Sequence, residues 1–492
     1  MSQLSHSLTE TRPDGPTPKP KADLALHKSC ECASTRREAR RSLRDFLVNL
    51  FRLLDACEVR YCVLHSWDNL PDELPSDLDL AVLDEDNSKL LPVFDGLRAK
   101  GYVPIQALNH SVNGNFFVFY WVEDLAVKVA ALDIVSQHRR VGLTLAGAEE
   151  MVANRRRHEM FWTASPQIEF AYLLAKKTFK QTASDNQAQR LKFLAQQLGS
   201  AEAEELASTF LPSDLSKRAV ESCINGSVAA FLENGRAKLW RVSLTRRPWK
   251  LVPYFAMEAW RLARRWFQPT GLTVAIIGPD GVGKSTVIEG LIESLDIAFW
   301  RRHRLFHWRP NVIAPKPDSG PVPNPHSEPV RGRLASMLHL FGFFVDYCAG
   351  YLLLMRHLLA KSNLIVFDRY FHDVLVDPRR YRYGGPRRFA EILSRLVPQP
   401  DLVVLLDADA GSILQRKSEL PREEIERQRQ AYRQIRFNHA KSVFVMTTAG
   451  IDDSVGKVAA AVADCMRARF DKRLRGVLSS VGRTSEELEI FS

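Results

Sequence analysis

The 492-residue chain has few cysteines, and they are scattered. The seven thiols stand at positions 30, 32, 57, 62, 223, 348 and 465, without the repeated pairs typical of metal-ligand motifs. This spacing argues against a disulfide framework and against a cysteine zinc site. We therefore expect reduced thiols and a cytoplasmic protein.

A long uncharged apolar run is also missing. The most apolar stretch, residues 335–355, is interrupted by Asp346. Its uncharged part falls short of the roughly 18 residues that a membrane span needs. We therefore predict no transmembrane segment and interpret residues 335–355 as a buried core helix.

Negative charge is in the minority, because 57 Asp and Glu oppose 68 Lys and Arg, a net charge of +11. Such an excess suits a protein that handles anions. The basic, aromatic segment 246–269 could make peripheral contact with a membrane or touch nucleic acid. We favour a connecting helix whose arginine stems pack on aromatic rings, and we do not expect nucleic acid as a partner.

Changes of residue pattern along the chain predict an α/β protein with several domains. Two units combine apolar strands with helices, and a helical stretch separates them. The predicted ranges are a disordered leader at 1–35, a small α/β domain at 36–138, a helical region at 139–245, a connecting helix at 246–270, a second α/β domain at 271–475 and a tail at 476–492.

The second α/β domain opens with a strand, a glycine-rich loop and an amphipathic helix. The loop, GPDGVGKS (278–285), fits the eight-residue phosphate-loop pattern. Glycines let backbone N–H groups converge on phosphate oxygens, and the helix N-terminus favours negative charge. Lys284 would reach the β- and γ-phosphates, and the Ser285 hydroxyl would bind Mg²⁺. The predicted ATP-binding residues are Gly278, Gly281, Val282, Gly283, Lys284, Ser285 and Thr286.

Two later segments carry charges that suit phosphoryl transfer. NLIVFDRYFHD (363–373) ends an apolar strand in Asp368, a candidate Mg²⁺ ligand, and Arg369, which can neutralise phosphate charge. Arg416 and Arg422 flank a break between helices, where a flap could close over the nucleotide. Three further arginines fit a solvated helix face better: Arg427, Arg429 and Arg433.

Together, GPDGVGKST, FDRY and LLDADAGSILQRK resemble the thymidylate kinase family of P-loop nucleotide kinases, over roughly residues 271–470. The resemblance implies a five-stranded parallel sheet wrapped by helices, with a flap called the lid. It implies phosphoryl transfer from ATP with Mg²⁺, with catalytic roles for Lys284, Asp368, Arg369, Arg416 and Arg422. It also places Asp280 near the acceptor sugar, and the loop 447–450 near adenine.

The acceptor side departs from that family. Tyr347 stands where the family usually has an arginine for the acceptor phosphate, and a proline-rich insert occupies 307–333. The segment after Asp-Arg-Tyr is rich in arginine and tyrosine. We therefore predict a small anionic acceptor, a nucleoside monophosphate or a related sugar or phosphate compound. Its predicted binding residues are Asp280, Arg369, Arg379, Arg380 and Arg382.

A second set of carboxylates lies in the first α/β domain. SDLDLAV (76–82) puts Asp77 and Asp79 on one face of a strand, and Asp133 follows on a later apolar strand. Carboxylates at this spacing can share divalent cations. The arrangement resembles the nucleotidyltransferase superfamily, in which three carboxylates hold two Mg²⁺ ions. Here His65 and Ser66 replace the family's usual Gly followed by Gly or Ser.

The sequence thus predicts a P-loop kinase fused to a nucleotidyltransferase-like domain, with ATP and Mg²⁺ as cofactors. Two alternatives stay open. One is nucleotidyltransferase activity at Asp77, Asp79 and Asp133 with an accessory ATP-binding domain. The other is an ATP-gated regulatory protein.

Overall fold

The structure, a computed structural model, describes residues 42–74, 76–111, 113–140, 143–246, 248–313, 328–417, 420–438 and 440–489. The predicted leader, 1–35, lies outside these residues. The first described helix, α1 (Leu43–Ala56), begins at a capping box in which the Ser42 and Asp45 side chains satisfy each other's backbone N–H groups. Its apolar side chains recur at helical spacing, so one face is buried.

A seven-stranded mixed sheet is the centre of the first α/β domain. The elements of this domain are β1 (Tyr61–Val63), β2 (Asp77–Val82), α2 (Leu90–Ala99), β3 (Val103–Ser111), β4 (Gly114–Glu123), β5 (Ala126–Val135), β6 (Gln137–Arg140), β7 (Leu143–Gly147), α3 (Ala148–Ala153), β8 (Arg156–His158) and β9 (Phe161–Thr163). The strand order in the sheet is β3-β4-β5-β2-β1-β9-β8, and β6 and β7 form a separate two-stranded sheet. β2 pairs with β5 in parallel, and β1 pairs with β2 antiparallel.

The helical region begins later than the sequence indicates. Strands β7, β8 and β9 fall inside the range predicted as helical from residue 139. β9 is a strand because it pairs with the distant β1, a contact that local pattern does not reveal. The helices are α4 (Pro166–Lys180), α5 (Asp185–Leu198), α6 (Ser200–Ser208), α7 (Ser213–Ile224), α8 (Val228–Leu232), α9 (Gly235–Arg246) and α10 (Leu251–Phe267).

The second α/β domain has the predicted five-stranded sheet. Its elements are β10 (Leu272–Ile277), α11 (Lys284–Leu295), β11 (His303–His307), α12 (Arg333–Gly350), α13 (Arg356–Ala360), β12 (Leu364–Asp368), α14 (Asp373–Val376), α15 (Arg387–Leu396), β13 (Leu402–Asp407), α16 (Ala410–Arg416), α17 (Arg422–Gln434), β14 (Lys441–Met446) and α18 (Ile451–Glu489). The strand order is β11-β12-β10-β13-β14. All four strand pairings are parallel, which confirms the predicted fold.

The two sheets share one hydrophobic core. Phe116 of the first sheet is buried in the same cluster as Leu291 of α11 and Val462 of α18. Each such side chain contributes about 1.5–3 kcal/mol by leaving water, so the shared core is a substantial tie. α18 reaches into the tail predicted at 476–492, since its helix continues to Glu489.

One described helical segment, Arg333–Ala360, is long and apolar enough to cross a membrane by length and composition alone. Core helices of soluble proteins pass the same test, but only 22% of its most apolar window is buried. Asp346 and Tyr347 point inward, whereas Leu338 and Leu353 are each 73% exposed. The interpretation as a buried core helix is therefore right for one face and wrong for the other.

Candidate active site

The phosphate loop joins β10 to α11 in a conformation that requires glycine. Gly278 has φ +149°, and a Cβ there would lie 2.3 Å from the carbonyl oxygen of Leu406 on β13. Gly281 and Gly283 also have positive φ, +82° and +97°. These angles turn the loop around the N-terminus of α11, where Ser285 and Thr286 are exposed on the first turn. The arrangement matches an anion site at a helix N-terminus.

The Lys284 side chain is buried and folds back over the loop. Its Nζ donates to the carbonyl oxygens of Gly278 at 3.0 Å and Pro279 at 2.8 Å. Burial lowers the pKa of Lys284 to about 8, although the nearby carboxylates of Asp368 and Asp373 favour its charged form. The ammonium group is therefore held at the loop, where the phosphates of a nucleotide would lie.

Asp280 connects the phosphate loop to the arginines predicted on the acceptor side. It accepts hydrogen bonds from Arg369 and, at 2.5 Å, from Nη1 of Arg380. Lys284 Nζ lies 3.4 Å from the same carboxylate. Arg369 is only 4% exposed, has φ +76°, and also pairs with the buried Asp373 at 2.9 Å. Three cations thus converge on one loop carboxylate.

Asp368 lies at the carboxyl end of β12, beside the end of β10, because Ile276 and Asp368 are register partners. One of its oxygens contacts His307 Nδ1 at 3.1 Å. Burial alone would raise the pKa of Asp368, but the His307 hydrogen bond and the Lys284 charge outweigh it and lower the pKa. Its other oxygen, Oδ1, is buried without a partner among the described residues. An ionised carboxylate with an unused oxygen, close enough to Lys284 to interact with its charge, fits a Mg²⁺ ligand.

The two predicted lid arginines differ in position. Arg416 Nη1 lies 3.5 Å from the carbonyl oxygen of Val282, so α16 brings it to the phosphate loop. Arg422 is exposed at the start of α17 and makes no hydrogen bond or ion pair to the described part of the chain. Residues 418–419, between them, are outside the described ranges.

The prediction of a solvated face for the α17 arginines is wrong for two of them. Arg429 Nε donates to Asp407 Oδ1 at 2.7 Å, and Arg433 Nη2 donates to Oδ2 at 2.5 Å. Asp407 ends β13 and is 1% exposed. These arginines therefore attach α17 to the end of β13. The same strand carries Leu406, whose carbonyl oxygen lies close to Gly278. Arg427 is half exposed and also donates to the carbonyl oxygen of Val376.

On the acceptor side, Arg369 and Arg380 face Asp280, but the other two predicted arginines do not. Arg379 is exposed, and its side chain makes no hydrogen bond or ion pair to the described residues. Arg382 turns away and pairs with Glu328. Only two of the four predicted arginines therefore contact the phosphate loop.

The sequence missed several polar groups near Arg369. Tyr432 donates to Asp373 at 3.1 Å, whereas Asp373 Oδ1 is buried without a partner among the described residues. Trp308 follows β11, and its ring packs against that of Tyr381 at a 30° tilt, with the centroids 4.4 Å apart. Trp308 Nε1 and the Tyr381 hydroxyl are likewise buried and unpartnered in the described ranges. Tyr347, at the position where an arginine was expected, donates a hydrogen bond to the carbonyl oxygen of Trp308 and so holds that residue in place.

The loop predicted to lie near adenine does reach the phosphate loop. Thr447, which follows β14, donates its hydroxyl hydrogen to the carbonyl oxygen of Val282 at 3.0 Å. Gly450 has φ +114° and turns the chain into α18. Residues 447–450 therefore begin beside the phosphate loop, and their contact with adenine stays a prediction.

The second carboxylate set comes together as its spacing predicts. Asp79 on β2 is the register partner of Asp133 on β5, and Asp77 lies on the same face. Carboxylate oxygens of Asp77, Asp79 and Asp133 all lie within 4.8 Å of one another. The chemistry of this donor set suits a divalent cation.

Cationic and imidazole groups already accompany these carboxylates. Lys176 Nζ lies 2.5 Å from Asp79 Oδ1, and His65 Nε2 lies 2.9 Å from Asp79 Oδ2. Burial alone would raise the pKa of Asp79, but Lys176 and His65 hold it well below its usual range. His110 Nε2 contacts Asp133 at 2.7 Å. Lys176 and His110 were not foreseen; a lysine pair within the apolar stretch LLAKKTFK was the available signal for Lys176.

Comparisons with known proteins match part of the chain. No protein-family model matches the chain. It is 29% identical over 143 residues to a thymidylate kinase of Xanthomonas euvesicatoria, which is 28% of this chain and 58% of that protein. It is 32% identical over 146 residues to a probable thymidylate kinase of Pyrobaculum aerophilum, 28% of this chain and 64% of that protein. The chain thus spans about three fifths of these curated relatives.

Two solved structures cover larger parts of the chain with lower similarity. A thymidylate kinase from Ehrlichia chaffeensis covers 40% of this chain and 98% of its own, at 17% identity and TM-score 0.28. A putative nucleotidyltransferase from H. pylori covers 40% and 92%, at 9% identity and TM-score 0.20. At such TM-scores the likeness alone establishes nothing further. The sequence relatives, together with the motifs on the parallel sheet, establish that the chain contains a thymidylate kinase-like segment.

Proposed function

We propose that this protein is an ATP- and Mg²⁺-dependent kinase of the cytoplasm that phosphorylates a small anionic acceptor. The acceptor class is a nucleoside monophosphate or a related sugar or phosphate compound. The single observation that carries the proposal is the convergence of Lys284, Arg369 and Arg380 on Asp280. In the proposed reaction the γ-phosphate of ATP and the anionic group of the acceptor would both be bound by these cations.

Each side chain has a role that follows from its position. The loop backbone and Lys284 would bind the nucleotide phosphates, while Arg416 would approach them from α16. Arg369 and Arg380, positioned by Asp280, would bind the acceptor's anionic group with their remaining N–H donors. Ser285 and Asp368 would hold Mg²⁺, which when bound neutralises phosphate charge. In-line positioning supplies most of the catalysis in such reactions.

The test is transfer of the γ-phosphate from radiolabelled ATP to a panel of nucleoside monophosphates, nucleosides and sugar phosphates. We expect one compound class to be labelled, with loss of labelling in Lys284→Ala. Asp79→Asn is the matched control, because it alters a buried charge in the other domain and should leave transfer intact. ATP binding without transfer to any compound would contradict the proposal and favour an ATP-gated regulatory protein.

Nucleotidyl transfer at the second carboxylate set is the other candidate. Its support is the approach of Asp77, Asp79 and Asp133 within 4.8 Å. The three would hold divalent cations, which would activate the attacking group and orient a triphosphate. Release of pyrophosphate from a nucleoside triphosphate would test it. Under this candidate, Asp79→Asn abolishes the activity and Lys284→Ala spares it.

A further inference from the structure

Helix α10 presents an apolar face to solvent. Val252 is 74% exposed, Trp260 74% and Phe267 77%. They belong to a set of residues that recur every three or four positions, and every member of the set is apolar and exposed: Val252, Phe255, Ala256, Ala259, Trp260, Leu262, Ala263, Trp266 and Phe267. Surface helices of globular proteins normally bury this kind of face, so α10 is inverted.

The opposite, polar face of α10 holds it against the protein. Arg261 pairs with Glu258 at 2.5 Å and donates to the carbonyl oxygen of Asn109 at 3.1 Å. Arg265 donates to the hydroxyl of Ser362 at 2.9 Å. Burial lowers the pKa of Arg265 to about 10. These bonds fix the rotation of the helix, so its apolar face points outward by construction.

A second exposed apolar stripe lies on the neighbouring helix. α10 packs against α13, and Arg356 Nη2 donates to the carbonyl oxygen of Phe267 at 3.3 Å. In the helical segment that runs into α13, Leu352 is 63% exposed and Leu353 73%. Apolar patches larger than a few hundred Å² are rare on monomeric soluble proteins and mark interaction surfaces.

The charge around α10 selects the partner. Between residues 235 and 267 nine residues are Lys or Arg, and Glu258 is the only acidic one. Arg261 and Arg265 are bonded to the protein, so the positive charge offered to a partner comes from among the other seven. Lysines and arginines beside an outward apolar face are the features of helices that lie in the interface of anionic bilayers. An apolar protein partner would explain the exposed face but leave this excess of positive charge without a counterpart.

We propose that α10, together with the stripe at Leu352 and Leu353, docks the protein on an anionic lipid surface. Trp260, Trp266 and Phe267 enter the boundary between headgroups and acyl chains, and the surrounding cations meet lipid phosphates. The docking is peripheral, because the polar face of α10 stays bonded to the protein. The docking is independent of phosphoryl transfer, so substitutions on the apolar face of α10 should leave ATP binding unchanged.

The experiment is co-sedimentation of the full chain with vesicles. One set is an equimolar mixture of phosphatidylglycerol and phosphatidylcholine, and the other is phosphatidylcholine alone. We expect binding to the anionic vesicles, with a blue shift of tryptophan fluorescence. Binding to the neutral vesicles should be weaker by about tenfold or more. Raising the salt concentration should weaken binding to the anionic vesicles.

The decisive variant is Trp260→Glu combined with Phe267→Glu, which should weaken vesicle binding about tenfold or more. The matched control combines Phe193→Glu and Leu125→Glu, which change two exposed apolar residues elsewhere and should bind as wild type does. ATP binding by both variants verifies that they fold. Unchanged binding by the α10 variant, or equal binding to neutral vesicles, would overturn the proposal. So would a solution dimer that the α10 variant dissociates, since a second copy would then cover the face.

Discussion

The loop carboxylate Asp280 can be removed with little change of shape by the substitution Asp280→Asn. Its oxygens accept hydrogen bonds from Arg369 and Arg380, and Lys284 lies 3.4 Å away. If Asp280 positions the two arginines for the acceptor, the loss falls on the acceptor and not on ATP. If Asp280 only competes with the acceptor for them, its removal strengthens acceptor binding.

The expected size follows from the burial of this cluster. Removing one partner of a buried, hydrogen-bonded charge pair costs about 2–5 kcal/mol. The Asp280 side chain is 21% exposed and that of Arg369 5%, so we take the lower end, about 2 kcal/mol. This free energy corresponds to about a 30-fold fall in kcat/KM for the acceptor.

The assay measures kcat/KM for the best acceptor at saturating ATP, and ATP affinity by calorimetry. ATP affinity should change by less than about threefold, because the loop backbone and Lys284 remain. Asp296→Asn is the matched control, since Asp296 is also ion-paired but lies at the far end of α11. An unchanged or increased kcat/KM for the acceptor in Asp280→Asn would refute the positioning role.

Three further predictions concern stability and the loop. Asp79→Asn should lower the free energy of unfolding by about 3 kcal/mol, measured by urea denaturation, because Lys176 is left buried without its ion-pair partner. Asp407→Asn should lower the free energy of unfolding by about 1–2 kcal/mol, since its partners Arg429 and Arg433 keep some solvent exposure. Gly278→Ala should abolish ATP binding measured by calorimetry, because its Cβ would meet the Leu406 carbonyl oxygen.

Each of these has a matched substitution in the same chain. Asp77→Asn removes a less buried carboxylate of the same set and should cost less than Asp79→Asn. Asp409→Asn changes an exposed aspartate next to the same strand and should leave the urea midpoint near that of wild type. A Cβ at Gly283 would meet only Arg416 Nη1, at an ordinary van der Waals distance of 3.8 Å, so Gly283→Ala tests backbone strain without a clash. Equal effects within any of these pairs would contradict the corresponding prediction.

The sequence predicts the features that depend on neighbours along the chain. The strand, glycine turn and helix around Lys284 are consecutive in the sequence, so the phosphate loop can be predicted without a structure. Asp368 and Arg369 follow a buried strand, and carboxyl ends of parallel strands meet at one edge of a sheet. That rule is sufficient to place both residues beside the loop.

Contacts between distant segments could not be predicted in this way. Arg433 has a polar helical neighbourhood that is typical of a solvated face, yet the helix docks it on Asp407. β9 looks like part of a helical region until β1 is beside it. Helix α10 has the amphipathic pattern that sequence reasoning assigns to packing on a core, and only the structure tells which face points outward.

The two carboxylate sites differ in how their charge is compensated, and this difference bears on function. At the phosphate loop, Asp368 Oδ1 and Asp373 Oδ1 are buried without a partner in the described ranges. In the first domain, Asp79 already accepts from Lys176 and contacts His65. A ligand or cation that binds at Asp79 must displace the buried Lys176. At the phosphate loop, in contrast, carboxylate oxygens without a partner are already present. This difference supports our proposal of phosphoryl transfer at the phosphate loop over nucleotidyl transfer at Asp77, Asp79 and Asp133.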